Sequence, residues 1–391
     1  MTETKLSLLR IFLIYLRLGC ISFGGPVAHL GYFKDEFVNR KKWLSDARYS
    51  ELLGLCQFVP GPSSSQLGFA IGWHKGGLLG ACAAWLGFTL PSAMLMIAFA
   101  YGLFAVGDTA NAFIHGLLIA AVAVVANAVV GLGKKLCPDL PRVLIAILSA
   151  VVVSFSPSSL MQIATILIGA MIGMLLFKQS NQANSNEPHT IIAGRATVAI
   201  ALLLYTGLLV LSICINSSDH DSIYAVHYQA GALVFGGGHV VLPLLQEGLV
   251  PNLMTESNFL AGYSAAQALP GPLFTFSAFL GTTGSTNAPS ALVGLGTLIA
   301  IFLPGMLLLI GILPFWNRLR QRVWAQAGLL GANAAVVGLL LAAFINPVWS
   351  HGIQSWGDFV VATVAFIALY RYKAPAWLTV LSCGVLGYIV S

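Results

Sequence analysis

Long apolar runs follow one another almost without pause along this chain. A helix needs about 20 such residues to cross a bilayer, and the runs fall near residues 76–105, 111–133, 143–155, 158–177, 196–216, 289–314, 325–345, 355–370 and 375–390. Charge is what a soluble particle would need to coat itself, and it is missing. The 391 residues include 19 Lys and Arg and 13 Asp and Glu, 8% charged, against about 25% in soluble domains. The expected fold is all-α and polytopic, a membrane protein with almost no domain outside the lipid.

The formal charge of +6 does not point to nucleic acid. The basic residues stand singly or in threes between apolar runs, as loop charges do. Cysteines 20, 56, 82, 137, 214 and 383 form no Cys-x-x-Cys pair, so neither a metal site nor a disulfide framework is expected. Met1 to Arg10 lacks a cleavable signal pattern, and the first apolar segment is expected to be retained. No Gly-x-x-x-x-Gly-Lys-Ser/Thr phosphate loop, His-Glu-x-x-His zinc pair or Gly-x-Ser-x-Gly nucleophile elbow occurs. The usual signatures of ATP-driven transport, zinc proteolysis and serine hydrolysis are thus absent, no cofactor is expected, and a non-enzyme is the favoured reading.

Two blocks recur at a nearly fixed offset. Phe23-Gly24-Gly25 returns as Phe235-Gly236-Gly237, and Gln57-Phe58-Val59-Pro60-Gly61-Pro62 returns as Gln267-Ala268-Leu269-Pro270-Gly271-Pro272, offsets of 212 and 210. Pro91 matches Pro304, and Gly116-Leu117-Leu118 matches Gly328-Leu329-Leu330. The chain therefore reads as a duplication: a first repeat over 1–177, a polar Asn/Ser-rich linker with an extra span over 178–220, and a second repeat over 221–391. Each repeat opens with two short segments interrupted by Gly and Pro and continues with unbroken ones.

Loop charge sets orientation. The loop at 31–50 carries Lys34, Arg40, Lys41, Lys42 and Arg48, whereas its counterpart near 243–260 carries only Glu247 and Glu256, and no Lys or Arg occurs between Arg195 and Arg318. The two loops are expected on opposite faces, the first cytoplasmic, which makes the repeats inverted. About nine full spans plus half-helices result, or about 13 if every broken element is counted, with the N-terminus inside and the C-terminus outside in either case.

Broken segments at matching places in inverted repeats point to a transport site near the bilayer midplane. A helix beginning inside the membrane aims unpaired N–H groups and a positive dipole end at what lies before it, which favours an anion. Pro62 and Pro272 suit a first helical turn and Gly61 and Gly271 allow close backbone approach, with Pro60 and Pro270 before them. Ser63, Ser64, Ser65, Thr275 and Ser277 add hydroxyls. The facing cradle would come from Ser22-Phe23-Gly24-Gly25-Pro26 and Gly236-Gly237-Gly238, and Gln57 and Gln267 would bond substrate or brace the backbone. The alternative reading of these glycines and prolines is kinking and close packing, as expected for Gly72-x-x-x-Gly76 and Gly169-x-x-x-Gly173.

Arg17, inside an apolar stretch, is a candidate balancing charge, with snorkelling toward the headgroups as the alternative. His29, His239 and Glu51 are candidates for proton coupling, against ordinary backbone bonding for the histidines and a helix N-terminal carboxylate for Glu51. His74 and Lys75 read as loop residues.

Phe23-Gly24-Gly25-Pro26-Val27-Ala28-His29 with the first Pro-Gly-Pro block, and Phe235-Gly236-Gly237-Gly238-His239-Val240-Val241-Leu242-Pro243 with the second, resemble the chromate transporter family in its long, two-domain form. The resemblance implies an inner-membrane carrier that exports chromate, a tetrahedral dianion shaped like sulfate, confers chromate resistance and is described as working chemiosmotically, often by proton antiport. The bilayer, an oxyanion and protons are then the partners, and the small-residue repeats permit a homodimer. The rivals are a carrier or channel for sulfate or another oxyanion, and an intramembrane enzyme acting on one.

Overall fold

The computed structural model describes residues 6–23, 25–106, 111–156, 159–177, 194–216, 222–234, 240–284, 289–316 and 322–390. Among them every element is helical. In the first repeat α1 (Leu8–Ile21) is followed by α2 (Gly25–Lys34), whose wider last turn runs through Arg40, then α3 (Asp46–Phe58), α4 (Ser63–Val106), α5 (Asn111–Leu136), α6 (Leu140–Phe155) and α7 (Ser159–Leu176). The linker helix is α8 (Arg195–Asn216). The second repeat has α9 (Ile223–Leu233), α10 (Val241–Leu249), α11 (Glu256–Ala268), α12 (Phe276–Thr283, entered through a tight turn at Leu273–Thr275), α13 (Ala291–Ile312), α14 (Val323–Ala343), α15 (Trp356–Tyr370) and α16 (Ala376–Val390).

Local chemistry explains the helix ends. Ser45 and Thr255 cap the equivalent helices α3 and α11 by accepting from the N–H of Arg48 and Asn258, and Ser355 and Asp358 form a reciprocal capping box on α15. Among the described residues five helices have the length and apolarity to cross a membrane: α4, α5, α8, α13 and α14. All nine continuous runs read from the sequence are helices, but the terminal pairs are short, α6 and α7 with 16 and 18 residues and α15 and α16 with 15 each. At 1.5 Å per residue they reach about 23 to 27 Å, just under the roughly 30 Å hydrocarbon core. Their outward faces are apolar, with Phe155 86% and Leu175 82% exposed. A polytopic membrane protein is the result.

The apparently continuous α4 is two arms. Gly77 sits at φ +66°, and a Cβ on Gly72 would lie 2.6 Å from the carbonyl oxygen of Gly80. Eight residues of straight helix would separate those groups by about 12 Å, so arms 63–76 and 78–106 fold back on each other, with His74 and Lys75 at the reversal. The second repeat repeats the hairpin with α12 and α13. Thr297 Oγ1 donates to the carbonyl of Ser277 at 2.8 Å, and Gly294 packs against Ala278.

α1 lies along α4 as α9 lies along α13. The match extends to single residues: Gly19 meets the carbonyl of Phe88, and its counterpart Gly231 meets that of Ile301. Beyond this the repeats exchange partners. α5 packs on α15 and α16 of the second repeat, and α14, its equivalent, packs on α6 and α7 of the first. Small residues permit the approach, Gly116 against Cys383, Gly384 and Gly387, and Gly331 against Gly169 and Gly173. The Gly169-x-x-x-Gly173 and Gly72-x-x-x-Gly76 pairs are thus packing residues.

The exchange makes a prediction. A Cβ at Gly331 would lie 2.8 Å from Gly173 Cα, whereas Gly207 on α8 has nothing within 4 Å. Gly331→Val is expected to cost about 1–3 kcal/mol or more through overpacking and to lower the thermal midpoint in detergent. Gly207→Val should leave it in place.

Candidate functional site

The two Pro-Gly-Pro turns meet the other repeat. Helix α3 ends at Phe58, Val59 is extended and the arm at 63–76 restarts at Ser63; in the second repeat α11 ends at Ala268 and the chain restarts at Leu273. Between the breaks the backbone groups are paired across repeats. The Gly61 N–H donates to the carbonyl of Val234 at 2.8 Å, and the Gly271 N–H donates to the carbonyl of Ser22 at 2.9 Å. Ser22 and Val234 are themselves equivalents, each closing the helix before a Phe-Gly-Gly block. Each break therefore borrows its acceptor from the end of the other repeat's first helix.

The crossing needs glycine. Gly61 has φ +129° and Gly271 φ +98°, where an L side chain is strained. A Cβ on Gly61 would lie 2.9 Å from the Cα of Gly305, and one on Gly271 would lie 2.6 Å from Ser92 Oγ. Gly305 and Ser92 are again equivalents, each one residue after the matched prolines 304 and 91. Gln66 fastens one side by donating from Nε2 to the carbonyls of Pro60 at 2.9 Å and Gly305 at 3.0 Å.

Around this frame lie buried polar atoms. The carbonyl of Ser22 also faces Nε2 of His29 at 3.1 Å, and Nδ1 of His29 lies 3.3 Å from Ser64 Oγ. The His29 ring stands edge-on to Phe88, centroids 5.2 Å apart. Ser92 Oγ donates to the carbonyl of Thr89. The buried donors without a partner among the described residues include the hydroxyls of Ser22, Ser65 and Thr89, exposed by 0, 2 and 1%. A buried donor without a partner costs about 1–3 kcal/mol, which a bound oxyanion would repay. By contrast Thr275 and Ser277 spend their hydroxyls on the carbonyls of Pro272 and Phe274.

The sequence candidates divide accordingly. Ser22, Gly61, Pro62, Ser64, Pro270, Gly271 and Pro272 are buried at or beside the crossing, with Pro60 half-buried and Ser63 half-buried at the start of its helix. Gly25 (φ +71°) and Pro26 open α2. Gln57 is exposed and Gln267 half-buried. His29 is engaged at both ring nitrogens, and Glu51 accepts from Arg48 at 2.7 Å in a buried ion pair. Arg17 lies on the exposed face of α1, lining a cavity of about 310 Å³ with Arg10, Lys41 and Glu36. Its side chain is exposed there. Gly24, Gly236, Gly237, Gly238 and His239 lie outside the described residues. Sequence reasoning passed over Val234, Gly305, Ser92, Thr89 and Gln66. The signal for two of them was present in the Pro91/Pro304 match, since the small residue after each proline is what the facing glycine requires.

Broken half-helices joined across an exchanged pair of repeats define the class: an all-α polytopic membrane protein. The chain belongs to the chromate transporter family, whose model matches residues 9–174 and again 222–388. It is 29% identical to a chromate transport protein of Pseudomonas aeruginosa over 97% of this chain and 92% of that one. It is 27% identical to an uncharacterized transporter of Methanocaldococcus jannaschii (98% and 94% covered) and 26% identical to a probable chromate transport protein of Synechococcus elongatus (98% and 95% covered). No solved structure matches the chain.

Replacing Gly61 or Gly271 by Ala combines an unfavourable φ, about 1–2 kcal/mol, with a backbone or side-chain clash. Each variant is expected to insert normally yet lose transport at least tenfold, since about 1.4 kcal/mol corresponds to tenfold. Wild-type flux in both would remove the crossing from the site.

Proposed function

We propose that the protein is a secondary transporter that exports chromate, or a tetrahedral dianion like it, across the cytoplasmic membrane and so confers chromate resistance. The observation that carries this reading is the crossing itself. Two helices begin there with their N-terminal N–H groups and positive dipole ends, and unpartnered hydroxyls of Ser22, Ser65 and Thr89 lie on the segments that build it. This is a neutral donor set of the kind that solvates an anion without a fixed cation. Family membership and the named relatives support chromate as the cargo and a carrier in place of an enzyme.

Energetics support export. An interior-negative potential works on a dianion with about 4.6 kcal/mol per 100 mV, twice the single-charge value. No nucleotide site is needed. A proton gradient is a second source of drive. The basic turn with Lys34, Arg40, Lys41 and Lys42 supports a cytoplasmic hairpin in the first repeat, and the absence of Lys and Arg from 196 to 317 supports an exterior one in the second.

The test is uptake of labelled chromate into inverted membrane vesicles, with an imposed potential, an imposed pH gradient and excess sulfate as separate arms. Saturable uptake driven by an interior-positive potential is expected. Uptake that is non-saturable and channel-fast, or equal to that of empty vesicles, would overturn the carrier or the substrate respectively. Two substitutions sharpen it. Ser22→Ala and Thr89→Val remove buried hydroxyls that bond nothing in the described residues, so thermal stability without ligand should hold or rise. Each loses a hydrogen bond to a charged ligand, about 1.5–3 kcal/mol, so the half-saturating chromate concentration should rise roughly 10- to 100-fold.

A further inference from the structure

The two repeats are built alike but not packed alike. α11 lies against α5 and α16, with Ser264 Oγ donating to the carbonyl of Leu117 at 2.7 Å, and α10 lies against α7 and α14. The equivalent hairpin of the first repeat, α2 with α3, packs on α4 and makes no comparable contact with α14, α7, α5 or α16 among the described residues. The consequence is visible position by position. Ala47, Ser50, Gly54 and Gln57 recur at helical spacing along one face of α3, and three of them are exposed, with Gly54 half-exposed. Their counterparts on α11 are Ser257, Leu260, Ser264 and Gln267, of which Leu260 and Ser264 are 0% exposed and the other two half-buried.

One apolar neighbour, Trp316 packed on Phe58, flanks the open stripe at Gly54, but the four positions of the stripe carry no large apolar side chain. Faces that meet lipid elsewhere in this chain do, as at Ile200 (57% exposed), Leu203 (70%) and Val210 (60%) on α8. A small and polar stripe fits water. It begins at the basic α2–α3 turn and ends at Gln57, three residues before the Pro60-Gly61-Pro62 break.

We propose that this is the inward-facing arrangement of the carrier, and that Ala47, Ser50, Gly54 and Gln57 form one wall of the aqueous route by which an oxyanion passes from the cytoplasm to the crossing of the two repeats. The inference rests on the transport function proposed above. It also specifies the opposite state: α3 closes on α14 and α7 as α11 now closes on α5 and α16, and the stripe on α11 is then the one that opens. Ser50, where the second repeat has Leu260, makes the cytoplasmic route the more polar of the two.

Cysteine accessibility tests it. In a background with the six native cysteines replaced by alanine, Ser50→Cys and Gln57→Cys are compared with Leu260→Cys and Gln267→Cys, using a charged, membrane-impermeant maleimide. The reagent is applied to inverted vesicles and separately to intact cells. Labelling of the α3 positions from the cytoplasmic side should exceed labelling of the α11 positions from either side by about tenfold or more, as expected when the alternative state is populated at about 10% or less. Chromate should slow the reaction at Gln57→Cys. If Ser50→Cys fails to accumulate, Ala47→Cys with Ser257→Cys supplies the same comparison. Equal labelling of the two stripes, or labelling of α3 from outside, overturns the inference. Accessibility is read without flux: the expected pattern without chromate protection or uptake would sink the substrate assignment and leave the route standing. Normal uptake with equal labelling would do the reverse.

Discussion

Two hydrogen bonds hold the centre of this molecule: Gly61 N–H to the Val234 carbonyl and Gly271 N–H to the Ser22 carbonyl. Breaking a helix within a bilayer strands backbone groups in a medium with no water to satisfy them, at several kcal/mol for each group. A single repeat has no way to cover that cost for its own break. Here each repeat supplies the acceptor for the other, so the breaks stand or fall together. The demand for glycine at 61 and 271, for a small residue at 92 and 305 and for an extended residue at 59 follows from bringing four chain segments to one place.

The frame is symmetric and its chemistry is not. Ser22, Ser64 and Ser65 of the first repeat correspond to Val234, Phe274 and Thr275 of the second, and His29 corresponds to Val241. Buried polar atoms therefore gather on one side of the crossing, while Phe274 and Phe276 fill the other with rings packed on Phe302, Phe259 and Tyr263. Among the described residues no Lys or Arg belongs to this set, since Arg17 faces the surface and Arg48 is paired with Glu51. Dipoles and hydroxyls suit a carrier better than a fixed cation would, because a permeating ion must be held strongly enough to enter and weakly enough to leave.

Much of this was legible in the sequence. The long apolar runs marked every continuous helix, and the recurrence of Phe-Gly-Gly and Pro-Gly-Pro marked the breaks and the duplication. What stayed hidden was partnership. Periodicity says which face of a helix is apolar but not which helix covers it, so the exchange of α5 and α14 between repeats left no trace in the pattern of either. Alignment of the repeats showed that residue 61 corresponds to residue 271, but gave no hint that each bonds the other repeat's residue 234 or 22. Arg17 illustrates the limit from the other side. A base amid apolar residues is consistent with an inward charge or a snorkelling one, and only the placement of Ile11, Tyr15 and Leu18 on the buried face of α1 separates the two.

The exchange of long helices bears on how such a chain is made. Residues emerge from the ribosome in order, yet α5, complete by Leu136, finds most of its neighbours in α11, α14, α15 and α16, all of which follow it in the chain. Sequence-distant pairings of this kind are slow to form and leave surface waiting. The first repeat must therefore reside in the membrane as an unfinished half, its Gly116 face covered by lipid or by insertion machinery, until Gly384 and Gly387 arrive. A nascent chain stalled before residue 376 would carry that seam uncovered.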